Sequence, residues 1–158
     1  MPLMRILVDG YSLLHNWPEL APGQPRHSER ARDELVHVLT RYYDATGTPL
    51  TVIFDGSGGR PRGPREKSRA SVEVLFSSAG HTADQMIERA AHRFGDLGEV
   101  LVVTDDRAER DIVSGFGGYT ASCANFVRTV ENALTELQDD LRTHNRREQN
   151  RYRHGTTK

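Results

Sequence analysis

Asp9 and Asp55 each follow directly on a short apolar run, Ile6-Leu7-Val8 and Val52-Ile53-Phe54. Asp105 and Asp106 follow another, Val100-Leu101-Val102-Val103, after a single threonine. Asp84 stands in Thr82-Ala83-Asp84-Gln85, a capping-box sequence that opens a helical pattern. Carboxylates gathered without basic partners repel one another and resist ionising together, and a divalent cation relieves that repulsion. Oxygen-only ligands favour Mg2+ or Mn2+ over zinc. No Cys/His cluster competes, because the seven histidines are scattered without ligand spacing and read as structural or solvent-exposed.

Each acid also has a plainer reading. Asp9-Gly10 and Asp55-Gly56 suit strand exits as turn residues. Asp84 complements a helix dipole. Asp105 and Asp106 can cap the next helix, which places Glu109 and Asp111 on its solvated face. What favours a shared site is that all these positions fall at one end of one sheet.

The elements that must hold them follow from periodicity. The three apolar runs predict strands, joined by the alternating Val72–Phe76, placed near a sheet edge, and by a weaker segment over Tyr119–Ala121. Between them lie helical patterns. Ser28 caps a helix with Ala31, Leu35, Val38, Leu39 and Tyr42 on one face, ending near Gly47. Met86, Ile87, Ala90 and Phe94 follow the Thr82 cap, and Ser122 caps a last helix striped by Val127, Val130, Leu134, Leu137 and Leu141. Strands alternating with helices predict a parallel sheet covered on both faces, with binding sites beyond the carboxyl ends of its strands.

At 158 residues the chain is expected to be one domain. Apolar residues at 36% and charged residues at 27% exclude collagen, coiled coil and wholesale disorder. A single cysteine, Cys123, excludes an internal disulfide framework and suits a reducing compartment. No apolar run approaches the ~20 residues of a membrane helix, and residues 1–8 lead into a strand rather than a signal peptide, so a cytoplasmic location is expected. The net charge of −1 hides an uneven distribution. Arg60, Arg62, Arg65, Lys67 and Arg69 face only Glu66 between 58 and 71, a net +4 that reads as a basic flap. Residues 142–158 carry +5, which leaves −10 on the rest. Such a pattern suits a polyanionic partner and hard cations. Apolar periodicity stops after Leu141, so the expected division is a folded domain over 1–142 and a flexible basic tail over 143–158.

Neither glycine-rich stretch gives a phosphate-binding loop at a strand-to-helix turn, and no serine or cysteine sits in a nucleophile elbow. Instead ILVDGYSLLHNWPEL (6–20), VIFDG (52–56), VEVLFS (72–77), TADQMIE (82–88), VVTDDRAE (102–109) and GFGG (115–118) together resemble the YacP-like branch of the NYN domains, a PIN-like nuclease family. The resemblance runs from Ile6 to about Leu137. It implies a three-layer, Rossmann-like α/β fold of about five parallel strands ordered 3-2-1-4-5, and a metal-dependent ribonuclease. Matched motif by motif, it makes Asp9, Asp84 and Asp106 the metal ligands; Asp55 and Asp105, at neighbouring strand ends, are expected to assist. Asp105 stands where the family commonly has Ser, and Ser12 where it usually has Asn. The tail is shorter and more basic than the family's.

The expected activity is therefore an endoribonuclease on single-stranded RNA, through Mg2+- or Mn2+-activated water, leaving 5′-phosphate and 3′-hydroxyl ends. The resemblance also brings in mRNA as substrate and the ribosome as a partner that could present it. Arg60, Arg62, Arg65, Lys67 and Arg69 would track phosphates, and Tyr11 and Trp17 are candidates for base stacking, with core packing as their alternative. A competing reading is an RNA-binding module of the same fold that has lost catalysis, with Ser12 as its mark. A phosphoryl-accepting switch is disfavoured, because the acidic pair follows the fourth strand and no lysine is suitably placed.

Overall fold

The computed structural model describes residues 4–56, 72–77, 82–96 and 98–155. The basic residues between 60 and 69 lie outside them. Five parallel strands form one sheet in the order β3-β2-β1-β4-β5. They are β1 (Met4–Asp9), β2 (Leu50–Phe54), β3 (Val72–Phe76), β4 (Glu99–Val103) and β5 (Tyr119–Ala121). The helices are α1 (Gly10–His15), α2 (Glu29–Thr46), α3 (Ala83–Gly95), α4 (Arg107–Gly115) and α5 (Cys123–Gly155). Sheet order and helical layers agree with the expected PIN-like fold, and β3 lies at the edge.

β1 is central, and its alternation feeds two cores. Ile6 and Val8 join Val52, Phe54, Leu35, Leu39, Phe126 and Val130 under α2 and α5. Leu7 joins Ile53, Val102, Ile87 and Val113 under α3 and α4. Asp9 continues the alternation of Leu7, which directs its side chain toward the α3 and α4 layer.

Local signals place the helix ends as read. Ser28 Oγ accepts from Ala31 N at 3.1 Å, and α2 ends on Gly47 at φ +74°, a left-handed conformation that favours glycine. Thr82 and Gln85 make the reciprocal capping box that opens α3. α1 is an element the sequence reading passed over. It starts against β2 so closely that a Cβ on Gly10 would strike the Phe54 ring.

The tail differs most from expectation: α5 continues without a break to Gly155, 33 residues in all, or about 50 Å. Its first half buries Cys123, Phe126, Val127 and Val130, while Leu141 is 52% exposed. Periodicity fails there because the described side chains of the second half are almost all exposed, not because the helix stops. The packed half has already met the cost of nucleation, and Arg, Gln and Glu extend a helix readily. An i,i+3 contact between Glu148 and Arg151 at 3.6 Å adds little.

Candidate metal centre

Asp9 ends β1 and is also the N-cap of α1, so the strand exit fixes its backbone. Ser12 Oγ donates to its Oδ2 at 2.8 Å, and Ser12 N approaches Oδ1 at 3.4 Å. Burial pushes the Asp9 carboxyl above the usual carboxylate range; the Ser12 hydrogen bonds oppose this, and the charges of Asp84 and Asp55 add to it. Asp84 is the second residue of α3, set by the Thr82 cap. Ligand oxygens of Asp9, Asp84 and Glu109 all lie within 4.8 Å of one another.

Glu109 is the residue the sequence reading misplaced. Expected on a solvated face, it is 2% exposed, and no N–H or hydroxyl donor of the described residues reaches either of its carboxyl oxygens. Desolvation above all, with the shared contact with Asp84 and the charges of Asp84, Asp9 and Asp106 adding to it, raises its pKa to about 9. Charged, the carboxyl faces no donor among the described residues; protonated, it can share its proton with Asp84. A signal was present. Val113 and Phe116 follow Glu109 at i+4 and i+7, and Val113 is buried, so position 109 lies on the inward stripe of α4.

The other expected acids have structural partners. Asp106 caps α4, accepting from Ala108 N at 2.9 Å and Glu109 N at 3.3 Å, and is not in the group that converges within 4.8 Å. Its plainer reading as a cap is thus realised, although its charge is felt at Glu109. Asp105 accepts from Asn16 Nδ2 and from Cys123 N, both at 2.9 Å, and so ties α1 and the start of α5 to the end of β4. Asp55 is exposed at the end of β2 and accepts from Ser77 Oγ at 3.1 Å. Trp17 is 5% exposed within the core, whereas Tyr11 is half-buried beside Asp9.

A cavity of about 320 Å3 occupies the opposite, amino end of β4 and β5, lined by Glu99, Phe116 and Tyr119 among others. No helix among the described residues is long and apolar enough to cross a membrane.

A divalent cation fits the acid cluster. Three hard oxygen donors converge, and among the described residues no donor group reaches the buried Glu109 oxygens. Parallel α/β layering with carboxylates at the strand ends defines the nuclease fold of the PIN-like class. The chain belongs to the YacP-like NYN domain family, which it matches over residues 6–157. It is 30% identical over 138 residues to the uncharacterized protein YacP of Bacillus subtilis (strain 168), covering 87% of this chain and 81% of that protein. A crystal structure of Rae1 (YacP) from Bacillus subtilis superposes with a TM-score of 0.75 at 26% identity, over 98% of this chain and 88% of that one. A mutant of the same protein gives 0.74 at 28% identity, over 90% and 84%.

Proposed function

We propose that the chain is a metal-dependent endoribonuclease acting on single-stranded RNA. The observation that carries this reading is the convergence of Asp9, Asp84 and the buried Glu109 at the carboxyl ends of the strands. These three would hold Mg2+ or Mn2+, which when bound supplies Lewis acidity at the phosphate and lowers the pKa of water. Glu109 must give up its proton for that ion, and it then contributes a charge that no described residue of the site neutralises. Ser12 keeps Asp9 oriented through its 2.8 Å hydrogen bond, a positioning task for which a hydroxyl suffices. Asp55 and Asp105 flank the centre, while Asp106 acts through the α4 cap and its charge. Water attack at phosphorus with the 3′ oxygen as leaving group would give 5′-phosphate and 3′-hydroxyl ends.

Arg60, Arg62, Arg65, Lys67 and Arg69 are proposed to bind phosphates beside the site. The family resemblance supports mRNA presented by the ribosome as the physiological substrate, and a cytoplasmic location; comparing naked and ribosome-bound messenger checks the first. Cys123 is consistent with the second: burial pushes its thiol up to about 12, which makes it inert.

The deciding experiment is cleavage of a fluorescent single-stranded RNA during Mg2+ and Mn2+ titration. Cleavage that needs the ion is expected. Tight binding without cleavage at any concentration of either ion would instead support the RNA-binding module.

A further inference from the structure

A ladder of rings climbs to the surface beside Asp9. Tyr11 and His15 stand four residues apart on α1 and share one face of it. His27, from the segment before α2, fits its ring to both, with centroids 4.2 Å from Tyr11 and 5.5 Å from His15. Below them Tyr11 packs on Phe54 at 5.1 Å, and Phe54 stacks on Phe76 at 5.5 Å. Exposure rises along this series, from buried Phe54 through half-buried Tyr11 to exposed His15 and His27.

The foot of the ladder is fixed. Arg32 Nη1 donates to the Tyr11 hydroxyl at 3.2 Å and to the His27 carbonyl at 2.6 Å, and its guanidinium lies 5.9 Å from the Phe76 ring. Core packing explains Phe54 and Tyr11. It does not explain two exposed imidazoles mounted on a braced aromatic base. Their neighbourhood offers a reason: the ladder begins two residues after Asp9, and α1 carries His15 no more than about 9 Å from its start.

We propose that His15 and His27 form a stacking subsite for a nucleobase of the RNA strand, close to the phosphate presented to Asp9. This rests on reading the acid cluster as an RNA-cleaving centre. Every base has a π-face, so such a subsite accepts many sequences while requiring that the nucleotide carry a base. Arg32 adds a fixed positive charge beneath the rings.

The test is a double-mutant cycle between protein and RNA, using full-length protein and a 12-nucleotide single-stranded RNA bound in Ca2+. Abasic residues are scanned along the RNA against wild type, His15→Ala, His27→Ala and His27→Phe. In wild type, one or two abasic positions should weaken binding about tenfold. His27→Ala should weaken intact RNA by a similar factor and show no further loss on the abasic RNA. His27→Phe, which keeps a ring, should restore most of the affinity. Should His27→Ala not fold, His15→Ala at the exposed end carries the same cycle. Equal weakening of intact and abasic RNA by the alanine variants marks a structural role and overturns the proposal. Wild-type binding indifferent to every abasic substitution overturns it too, while leaving the nuclease reading standing. Wild-type protein that neither binds nor cleaves RNA overturns both.

Discussion

Glu109 and Asp84 face each other from the first turns of α4 and α3, close enough to share one proton, and Asp9 closes the triangle. The pair couples two helices that flank the same strand exit. It also makes the site a place where proton and cation compete for the same oxygens.

Asp9→Asn keeps the side-chain shape and removes one charge. Cleavage at saturating RNA should fall at least hundredfold, a loss of about 3 kcal/mol of transition-state stabilisation. Without metal the variant should melt a few degrees higher, since about 1 kcal/mol of relieved repulsion corresponds to ~2–4 °C at this size. Its Mn2+-induced rise in Tm should shrink. Wild-type cleavage rates in the variant would remove Asp9 from the mechanism.

Glu109 sets a pH dependence of definite sign. The folded protein holds a proton up to about 9 that the unfolded chain releases near 4.5. Stability from this group is therefore complete below 4.5 and is lost as pH rises through 9. Metal affinity should move oppositely, strengthening by up to about tenfold per pH unit within that window as the competing proton is lost. Glu109→Gln should flatten both slopes and weaken Mn2+ binding. Calorimetric titrations at three pH values check this, and parallel slopes in variant and wild type would count against Glu109 as the linked group.

Asp105 and Asp106 should separate in a way that adjacent positions in a sequence do not reveal. Asp106→Asn preserves an N-cap acceptor and should alter stability by well under 1 kcal/mol. Asp105→Ala strips a partner from both Asn16 Nδ2 and Cys123 N, and should destabilise by about 1–3 kcal/mol. Both should bind Mn2+ more tightly than Asp84→Asn does. Chemical denaturation paired with metal titration reads the two properties apart.

Basic charge should govern salt dependence and little else. Arg142, Arg146 and Arg153 lie within about 40° of one another around α5, given 100° per residue. Replacing them with Gln should make the log–log salt slope of RNA binding shallower by about 2, at ~0.7 per lost phosphate contact. The same change at Arg60, Arg62 and Arg65 should raise KM with kcat little altered. A collapse of the saturated rate in this last variant would put an arginine at the reacting phosphate.

Much of this architecture is legible in the sequence, for identifiable reasons. Three of the five strands announce themselves as apolar runs that lead into aspartate, and Ser28, Thr82 and Ser122 each mark a helix start. Two of the three converging acids, Asp9 and Asp84, are found the same way. Glu109 escapes because Asp106-x-x-Glu109 mimics an ordinary capping sequence, and its inward position depends on α3 packing beside α4. Asp106 was expected in the cluster because the family motif places an acid there, but the motif does not specify which way a capping side chain turns. The second half of α5 escapes because amphipathic periodicity detects burial, and the described side chains of that half are almost all exposed.

The order of the strands carries a kinetic consequence. β1 pairs with β4 across 95 residues of chain, Met4 opposite Glu99, whereas β1 and β2 meet after fewer than half as many. Closing the longer loop costs more entropy, so the contact between Asp9 and Glu109 belongs to the late steps of folding. Repulsion among the acids then burdens the finished sheet and spares the nucleus. A bound cation should accordingly slow unfolding while leaving the refolding rate nearly untouched. Chevron plots with and without Mn2+ would show the displacement in the unfolding limb alone, and an equal shift of both limbs would place the carboxylates in the nucleus.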